Sequence, residues 1–273
     1  IVSTAKGDVR ADELEVDIYA QNNFRVVGEA NPIPRLEFIH KPTCKQVFDD
    51  WLKIALAHDQ YQEPPKTIPA PLVKEFLMNG HATLIEMYRN DRPEIKEHVW
   101  SQIPEWLKMP EKELYKISIY GRPGKAVYHA FKHYPLNGQV GFVIGSQEPW
   151  VEVYANQGRF DFAASFSSIE HSGLGRYGDP MDPIGDLREV WKTSCLLKKG
   201  GIFYLGLPRG ADTVVFNLHR LYGPARLAMI MAGFEHLATF RDDSPEPAAL
   251  NRTHFRQNIR DPAFQDLFVL RKL

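Results

Sequence analysis

Residues 160–210 constrain the fold of this chain more than any other stretch. They read FDFAASFSSIEHSGLGRYGDPMDPIGDLREVWKTSCLLKKGGIFYLGLPRG. An apolar run of strand length opens the segment and passes into a tip carrying Ser167, Ser168, Glu170 and His171. A loop rich in Gly and Asp follows. Leu187, Val190, Trp191 and Leu196 then give a helix its apolar face. Gly200 and Gly201 end that helix, and Ile202 to Leu207 form a second apolar run. Strand, crossover helix and strand in this order make a βαβ unit with parallel strands. Runs this apolar suit strands covered on both faces. In open α/β sheets the binding crevice lies outside the carboxyl ends of the strands. The polar residues of the segment crowd that end.

The flanking sequence extends the sheet. Gln139 to Ile144 predicts an earlier strand, with a tight turn at Gly145 and a helix start near Pro149. Pro224 to Met231 predicts a helix ending at Gly233. His236 to Phe240 and Leu267 to Leu270 predict two last strands joined by a long polar loop. Such a pair fits an antiparallel hairpin closing an otherwise parallel sheet. Upstream, residues 31–34 (Asn-Pro-Ile-Pro) read as extended, because each proline disfavours helix in its predecessor. Residues 41–61 predict a helix with Val47, Trp51, Ile54, Ala55 and His58 on one face. Residues 62–70 are a Pro-rich connector. Residues 71–90 predict a second amphipathic helix, with Val73, Phe76, Leu77 and Ile85, and residues 95–107 a third. The fold class is α/β: a mainly helical region over 1–135, then an α/β domain over 136–273.

Bulk properties narrow the function. A formal net charge of -1 over 273 residues leaves no basic footprint for nucleic acid. Cys44 and Cys195 have no metal-ligand spacing; two cysteines exclude a disulfide scaffold and leave one bridge open. No apolar run approaches the roughly 18 residues of a membrane helix. The chain starts at Ile1 without methionine, as a processed product would. Asn251-Arg252-Thr253 matches the glycosylation acceptor pattern, which inclines the compartment toward the secretory lumen rather than the cytoplasm.

Three stretches carry a resemblance to a known family. They are GSQEPWVE at 145–152, SFSSIEHSGLGRYGDP at 165–180 and NLHRLYG at 217–223. Their wording resembles a nematode methyltransferase-like family of unknown function. The order Phe160-Asp161, Glu170-His171, helix, Leu197-Lys198-Lys199-Gly200-Gly201, strand resembles the second half of a class I S-adenosylmethionine-dependent methyltransferase. The likeness covers roughly residues 138–240. It implies a Rossmann-like sheet, mostly parallel with an antiparallel C-terminal strand. It also implies S-adenosylmethionine as cofactor and a small-molecule or glycan hydroxyl as methyl acceptor. Two departures stand out. The cofactor turn offers Gly145 and then Ser146, Gln147 and Glu148, where repeated glycines are usual. Only 15 positions separate Gly145 from Phe160, room for one crossover of about 10–12 residues. Two edge strands are therefore lacking, and a segment left out near Ala155 and Asn156 is the expected reason. The ribose-binding acid stays unassigned unless Glu152 substitutes.

The resemblance and the strand-end position together nominate site residues. Gly145, Ser146, Gln147, Glu148, Trp150, Ser167 and Ser168 are expected at the cofactor. His171 is expected to take the acceptor's proton, with Glu170 orienting it or serving as base itself. Arg176 and Tyr177, in a loop dense in glycine, are expected to bind substrate, as are Asn217, His219, Arg220 and Tyr222. Asp179, Asp182 and Asp186 are of the type that holds magnesium or calcium. Asp186, however, is placed to start a helix, where a carboxylate is favoured, and no metal is assigned. The leading expectation is methyl transfer to oxygen. The second is a non-catalytic binding protein on a decayed methyltransferase fold. An NAD enzyme is disfavoured because no G-x-G-x-x-G follows Val140. A nucleic-acid methyltransferase is disfavoured because neither N-P-P-Y nor D-P-P-Y stands at the tip.

Overall fold

The computed structural model describes residues 1–59, 62–91, 103–106, 108–110, 113, 116–118, 120–135, 138–145, 161–256 and 264–273. Its N-terminal part begins with a hairpin of β1 (Val2–Thr4) and β2 (Gly7–Val9), then the short helix α1 (Ala11–Leu14). A second hairpin pairs β3 (Phe24–Gly28) with β4 (Arg35–Phe38). Helix α2 (Cys44–Ala57) starts at a capping box: Gln46 N donates to Thr43 Oγ1 (3.3 Å) and Thr43 N to Gln46 Oε1 (2.8 Å). Helix α3 (Val73–Phe76) is brief, and β5 (Thr83–Glu86) follows it. The expected helix over 71–90 therefore stops early. Asn79 (φ 54°) and Gly80 (φ 87°) take left-handed backbone that no helix continues through. Ile85, read as helical, belongs to a strand. Among the described residues this part of the chain holds five short strands, more sheet than helical periodicity suggested. Of the third expected helix, α4 (Ile103–Trp106) is described; residues 92–102 and 107 lie outside the described residues. Helix α5 (Lys125–His133) closes this part.

The rest of the chain builds the main sheet. Its elements are β6 (Phe142–Ile144), β7 (Phe162–Phe166), α6 (Gly185–Leu196), β8 (Ile202–Pro208), β9 (Thr213–Phe216), β10 (His219–Leu221), α7 (Pro224–Met231), β11 (Phe234–Arg241) and β12 (Gln265–Lys272). The five-stranded order is β11-β12-β8-β7-β6. Strands β6, β7 and β8 are mutually parallel, and β12 runs antiparallel between β8 and β11. The sheet is thus mixed, with β6 last in the order among the described residues. A second, three-stranded sheet has the order β10-β9-β5, with β5 parallel to β9.

Period-two alternation sorts the central strands onto two faces. Ala163, Phe203, Leu205, Leu207, Phe268 and Leu270 point to one side. There they meet Leu187 and Val190 of α6, Leu227 and Ile230 of α7, and Val2, Leu14, Phe24 and Leu36 of the N-terminal part. Phe162, Ala164, Phe166, Tyr204, Leu267 and Val269 point to the other, where Ala126, Val127 and Ala130 of α5 cover them. Each buried Val, Leu, Ile or Phe side chain among these contributes about 1.5–3 kcal/mol by leaving water. The N-terminal part and α5 therefore complete both layers of one core. Gly206 has no room for a side chain, since a Cβ there would lie 2.2 Å from the Phe166 ring. Leu196, expected on the buried face of α6, is 61% exposed, and Leu197 is buried in its place.

Cys44 at the start of α2 and Cys195 near the end of α6 form the bridge the sequence left open, with Cα atoms 5.6 Å apart. It closes a separation of 151 residues. A loop that long restricts the unfolded chain strongly, and native bridges of this kind contribute about 2–5 kcal/mol. Replacing both cysteines by alanine is expected to lower unfolding free energy by about that much. Urea denaturation of the two proteins measures it, and equal midpoints would refute it.

Candidate functional site

A cavity of about 850 Å³ opens at the carboxyl ends of β6 and β7, above the start of α6. Gly145 ends β6 with φ 71°, and a Cβ there would lie 1.7 Å from Ser168 Oγ. Only glycine lets the end of β6 come so close to the tip after β7. Ser167 itself has φ 51°, a left-handed conformation costing a non-glycine residue about 1–3 kcal/mol. Three bonds hold it there. Ser167 N donates to Gly206 O (3.1 Å), Ser167 Oγ donates to Glu170 Oε1 (2.6 Å), and Gln265 Nε2 donates to Ser167 Oγ (3.3 Å). The strained residue thus aims its hydroxyl at the most deeply buried acid of the cavity.

Glu170 and His171 sit on one helical turn, Ile169–His171. Glu170 is 1% exposed, and its Oε2 has no hydrogen-bond partner among the described residues. Loss of hydration pushes this carboxyl up to about 7, against the opposing bond from Ser167. The Leu218 carbonyl can only accept, so the His171 Nδ1 facing it at 2.6 Å carries the proton. Nε2 is then the basic nitrogen, and it lies 3.8 Å from Glu170 Oε1. Burial first, then the positive charges of Arg176 and Arg220, push His171 down to about 3 despite the bond to Leu218. Of the two expectations for Glu170, orienting His171 or serving as base itself, these shifts favour the second. His171 stays neutral and a weak base, and Glu170 titrates near neutrality, where a general base works best. His219 is also buried, is pushed down to about 4, and leaves its Nε2 without a partner among the described residues. Its ring lies 6.2 Å from that of His171.

The loop after His171 is fastened by side chains that chemistry had seemed to claim. Asp179 Oδ2 accepts from Gly173 N (2.7 Å), Leu174 N (3.0 Å) and Gly175 N (3.2 Å). Asp182 accepts from Arg188 Nε (2.7 Å) and Ile184 N (3.1 Å). Asp186 is paired with Arg226 and with the Tyr222 hydroxyl (2.9 Å). Among the described residues no three His, Cys, Asp or Glu side chains converge as metal ligands do. Arg220 donates to the carbonyls of Ser172 (2.6 Å), Asp182 (3.3 Å) and Glu170 (3.4 Å). Asn217 clamps the Arg89 backbone at both N (2.7 Å) and O (2.8 Å), which carries the end of β5 to the cavity rim.

Three of the expected substrate residues stand away from this cavity. Asn217, Arg220 and Tyr222 are buried and committed to the scaffold, and none lines the cavity. Arg176, Tyr177 and His219 do line it, as do Gly145, Ser167, Ser168, Glu170 and His171. Arg176 is held by Asp91 (2.8 Å) and lies 4.8 Å over the Tyr177 ring. Ser146, Gln147, Glu148 and Trp150 lie outside the described residues, as do Glu152 and the proposed omission near Ala155. Further walls come from residues that the sequence did not nominate. Trp51, Ile54 and Ala55 of α2 face the cavity, as do Arg188, Glu189 and Lys192 of α6. Lys192 Nζ sits 4.2 Å over the Trp51 ring and joins the two helices. The sequence signalled the helix of α2 by its apolar spacing but not its place at the cavity, since only the structure shows that Val47 alone of that stripe is buried.

Residues 154–273 match a family model described as Caenorhabditis protein of unknown function, DUF268. The match spans two of the three stretches that carry the nematode resemblance, 165–180 and 217–223. No curated protein and no solved structure matches the chain.

The Glu170 carboxyl gives stability a definite pH dependence. Its folded value, about 7, exceeds the ordinary 4.5, so between these values the fold holds a proton the unfolded chain has lost. Its contribution is complete below pH 4.5 and is lost as pH rises through 7, by about 3 kcal/mol. Glu170→Gln is expected to be more stable than the parent at pH 8, with the gap closing near pH 4.5. Urea unfolding of both proteins across that range measures it, and a pH-independent difference would sink the idea. His171 and His219 act in the opposite sense. Both are depressed in the fold, so their contribution is lost as pH falls below the ordinary 6.5.

Proposed function

We propose that this protein transfers a methyl group from S-adenosylmethionine to a hydroxyl oxygen of a carbohydrate or small polar metabolite. The observation that carries the reading is the sheet. Its last strand, β12, runs antiparallel between β8 and β11, and the cavity opens over the carboxyl ends of β6 and β7. That arrangement resembles the class I methyltransferase sheet, whose cofactor crevice lies at the same strand ends.

The residues present fit such a ligand. The cavity falls in the volume range of small-molecule and cofactor sites. Two buried polar atoms of its lining, Glu170 Oε2 and His219 Nε2, have no partner among the described residues. Buried polar groups are seldom left unpaired, so each marks a point of the lining that lacks a partner. When bound, S-adenosylmethionine supplies an electrophilic methyl group on a positive sulfonium. The cavity's own groups would do the rest. Gly145, Ser167 and Ser168 contribute the strand-end surface beneath it. Glu170, ionised, accepts the acceptor's hydroxyl proton at Oε2. His171 stays neutral, because Leu218 fixes its tautomer and burial keeps it from taking a second proton. A positive imidazolium beside the sulfonium would repel it. Trp51 and Tyr177 bring aromatic rings to the lining, each with a cation over one face, and α2 supplies one wall of the pocket.

One observation favours the non-catalytic reading. The space beside Gly145 is filled by Ser168 instead of opening toward the cavity. Titration calorimetry with S-adenosylhomocysteine separates the two, since a methyltransferase binds this product with saturable heat. In the presence of an accepted hydroxyl, Glu170→Gln is expected to retain that binding and to lose about 10²–10⁴-fold in kcat. Absence of binding by the intact protein would overturn the cofactor assignment. Unchanged turnover in the variant would remove Glu170 from the chemistry.

A further inference from the structure

We infer that Asn251 carries an N-linked glycan and that the chain matures in an oxidising secretory lumen. Two independent observations demand the same compartment. Asn251-Arg252-Thr253 is the single Asn-X-Ser/Thr tripeptide of the chain, and all three of its residues are exposed. Separately, both cysteines of the chain are joined in the Cys44–Cys195 bridge, which leaves no free thiol. Bridges of this kind persist in secreted and lumenal proteins and are rare where thiols are kept reduced. Acceptor tripeptides are glycosylated in that same lumen.

The local geometry accommodates the modification. Asn251 caps a short helical turn, Arg252–Phe255. Its Oδ1 accepts from Thr253 N (3.1 Å), from His254 N (3.3 Å) and from the Thr253 hydroxyl. Its Nδ2 lies 3.2 Å from His254 Nε2. Glycosylation replaces one of the two Nδ2 hydrogens. The other can still point at His254, and the carbonyl oxygen keeps every bond of the cap. Phe255, 1% exposed, anchors the turn in the core while the amide faces water. A sugar there would add to the surface without displacing a packed group.

The transfer balances with one co-reactant, a polyprenol-pyrophosphate-linked oligosaccharide. Asn251 Nδ2 bonds to the anomeric carbon of the first sugar as the carbon–oxygen bond to pyrophosphate breaks. Polyprenol pyrophosphate leaves, and the amide gives up one proton. None of residues 251–254 lines the large cavity, so the glycan and the proposed methyl transfer are independent.

Intact-mass measurement tests this on the protein expressed in a eukaryotic cell from its full natural reading frame. The expected result is a mass above that of the polypeptide by one oligosaccharide. Peptide-N-glycosidase should remove the excess and leave aspartate at 251. Asn251→Gln and Thr253→Ala should each abolish it, whereas Thr253→Ser, which restores the acceptor pattern, should keep it. The sugar is added before folding is complete, so this readout survives a variant that folds poorly. A mass unaffected by the glycosidase would overturn the proposal. So would an excess that persists in both Asn251→Gln and Thr253→Ala, or two thiols that alkylate without prior reduction.

Discussion

The carboxylate of Asp186 is the point on which the site and its scaffold both depend. It is fully buried at the start of α6, with Arg226 paired to it, the Tyr222 hydroxyl donating at 2.9 Å and Arg220 Nε 3.9 Å away. Burial alone would raise its proton affinity, yet Arg220 and Arg226 hold it below the usual carboxylate range. The charge is therefore retained, and removing one partner would strand the others. Breaking a buried pair of this kind costs about 3–5 kcal/mol. The consequence is geometric. Arg220 has Asp186 on one side and hands its remaining donors to the carbonyls of Glu170, Ser172 and Asp182. One buried charge thus fixes α6, α7, β10 and the loop that forms the cavity rim.

The sequence disclosed what depends on local pattern and concealed what depends on partners. Strands β7, β8, β11 and β12 were legible because each is an apolar run bounded by polar or glycine turns. Helix α7 was legible to the residue, from Pro224 at its first turn to the stop before Gly233. Strand β5 was not. Thr83 to Glu86 continue a helical apolar spacing, and what makes them a strand is β9, about 130 positions away. The location of the site was legible for the reason that strand-end crevices are general. The roles of its polar residues were not. Asn217, Arg220 and Tyr222 have the side chains of a binding site, and burial alone assigns them to the scaffold. Asp179 likewise reads as a ligand in sequence, and in space it accepts from the amides of its own loop.

The same logic bears on Glu170 and His171. Side-chain identity favours histidine as the base because its ordinary value lies near neutrality. Burial acts on the two groups in opposite directions, since it disfavours whichever form is charged. It lifts the acid into the neutral range and drops the imidazole out of it. A pair with the same letters on a wet surface would keep its ordinary titration. What cannot be read from the letters is that β7 ends under a roof.

That roof is α2, and it explains why so large a cavity survives in a well-packed protein. A helix with one buried apolar residue has little core of its own to hold it. Its position is set at its start by the bridge to α6 and midway by Lys192 over Trp51. Both attachments run to the helix whose other end is fixed by Asp186. The floor, the rim and the roof of the cavity are therefore tied to one element. Packing that filled the space would have offered the apolar stripe of α2 more burial than it has now. The fold instead keeps, in the lining of one cavity, a strained serine and, among the described residues, an unpaired carboxylate oxygen and an unpaired imidazole nitrogen. Each of these costs stability. These costs gather in the lining of that one cavity.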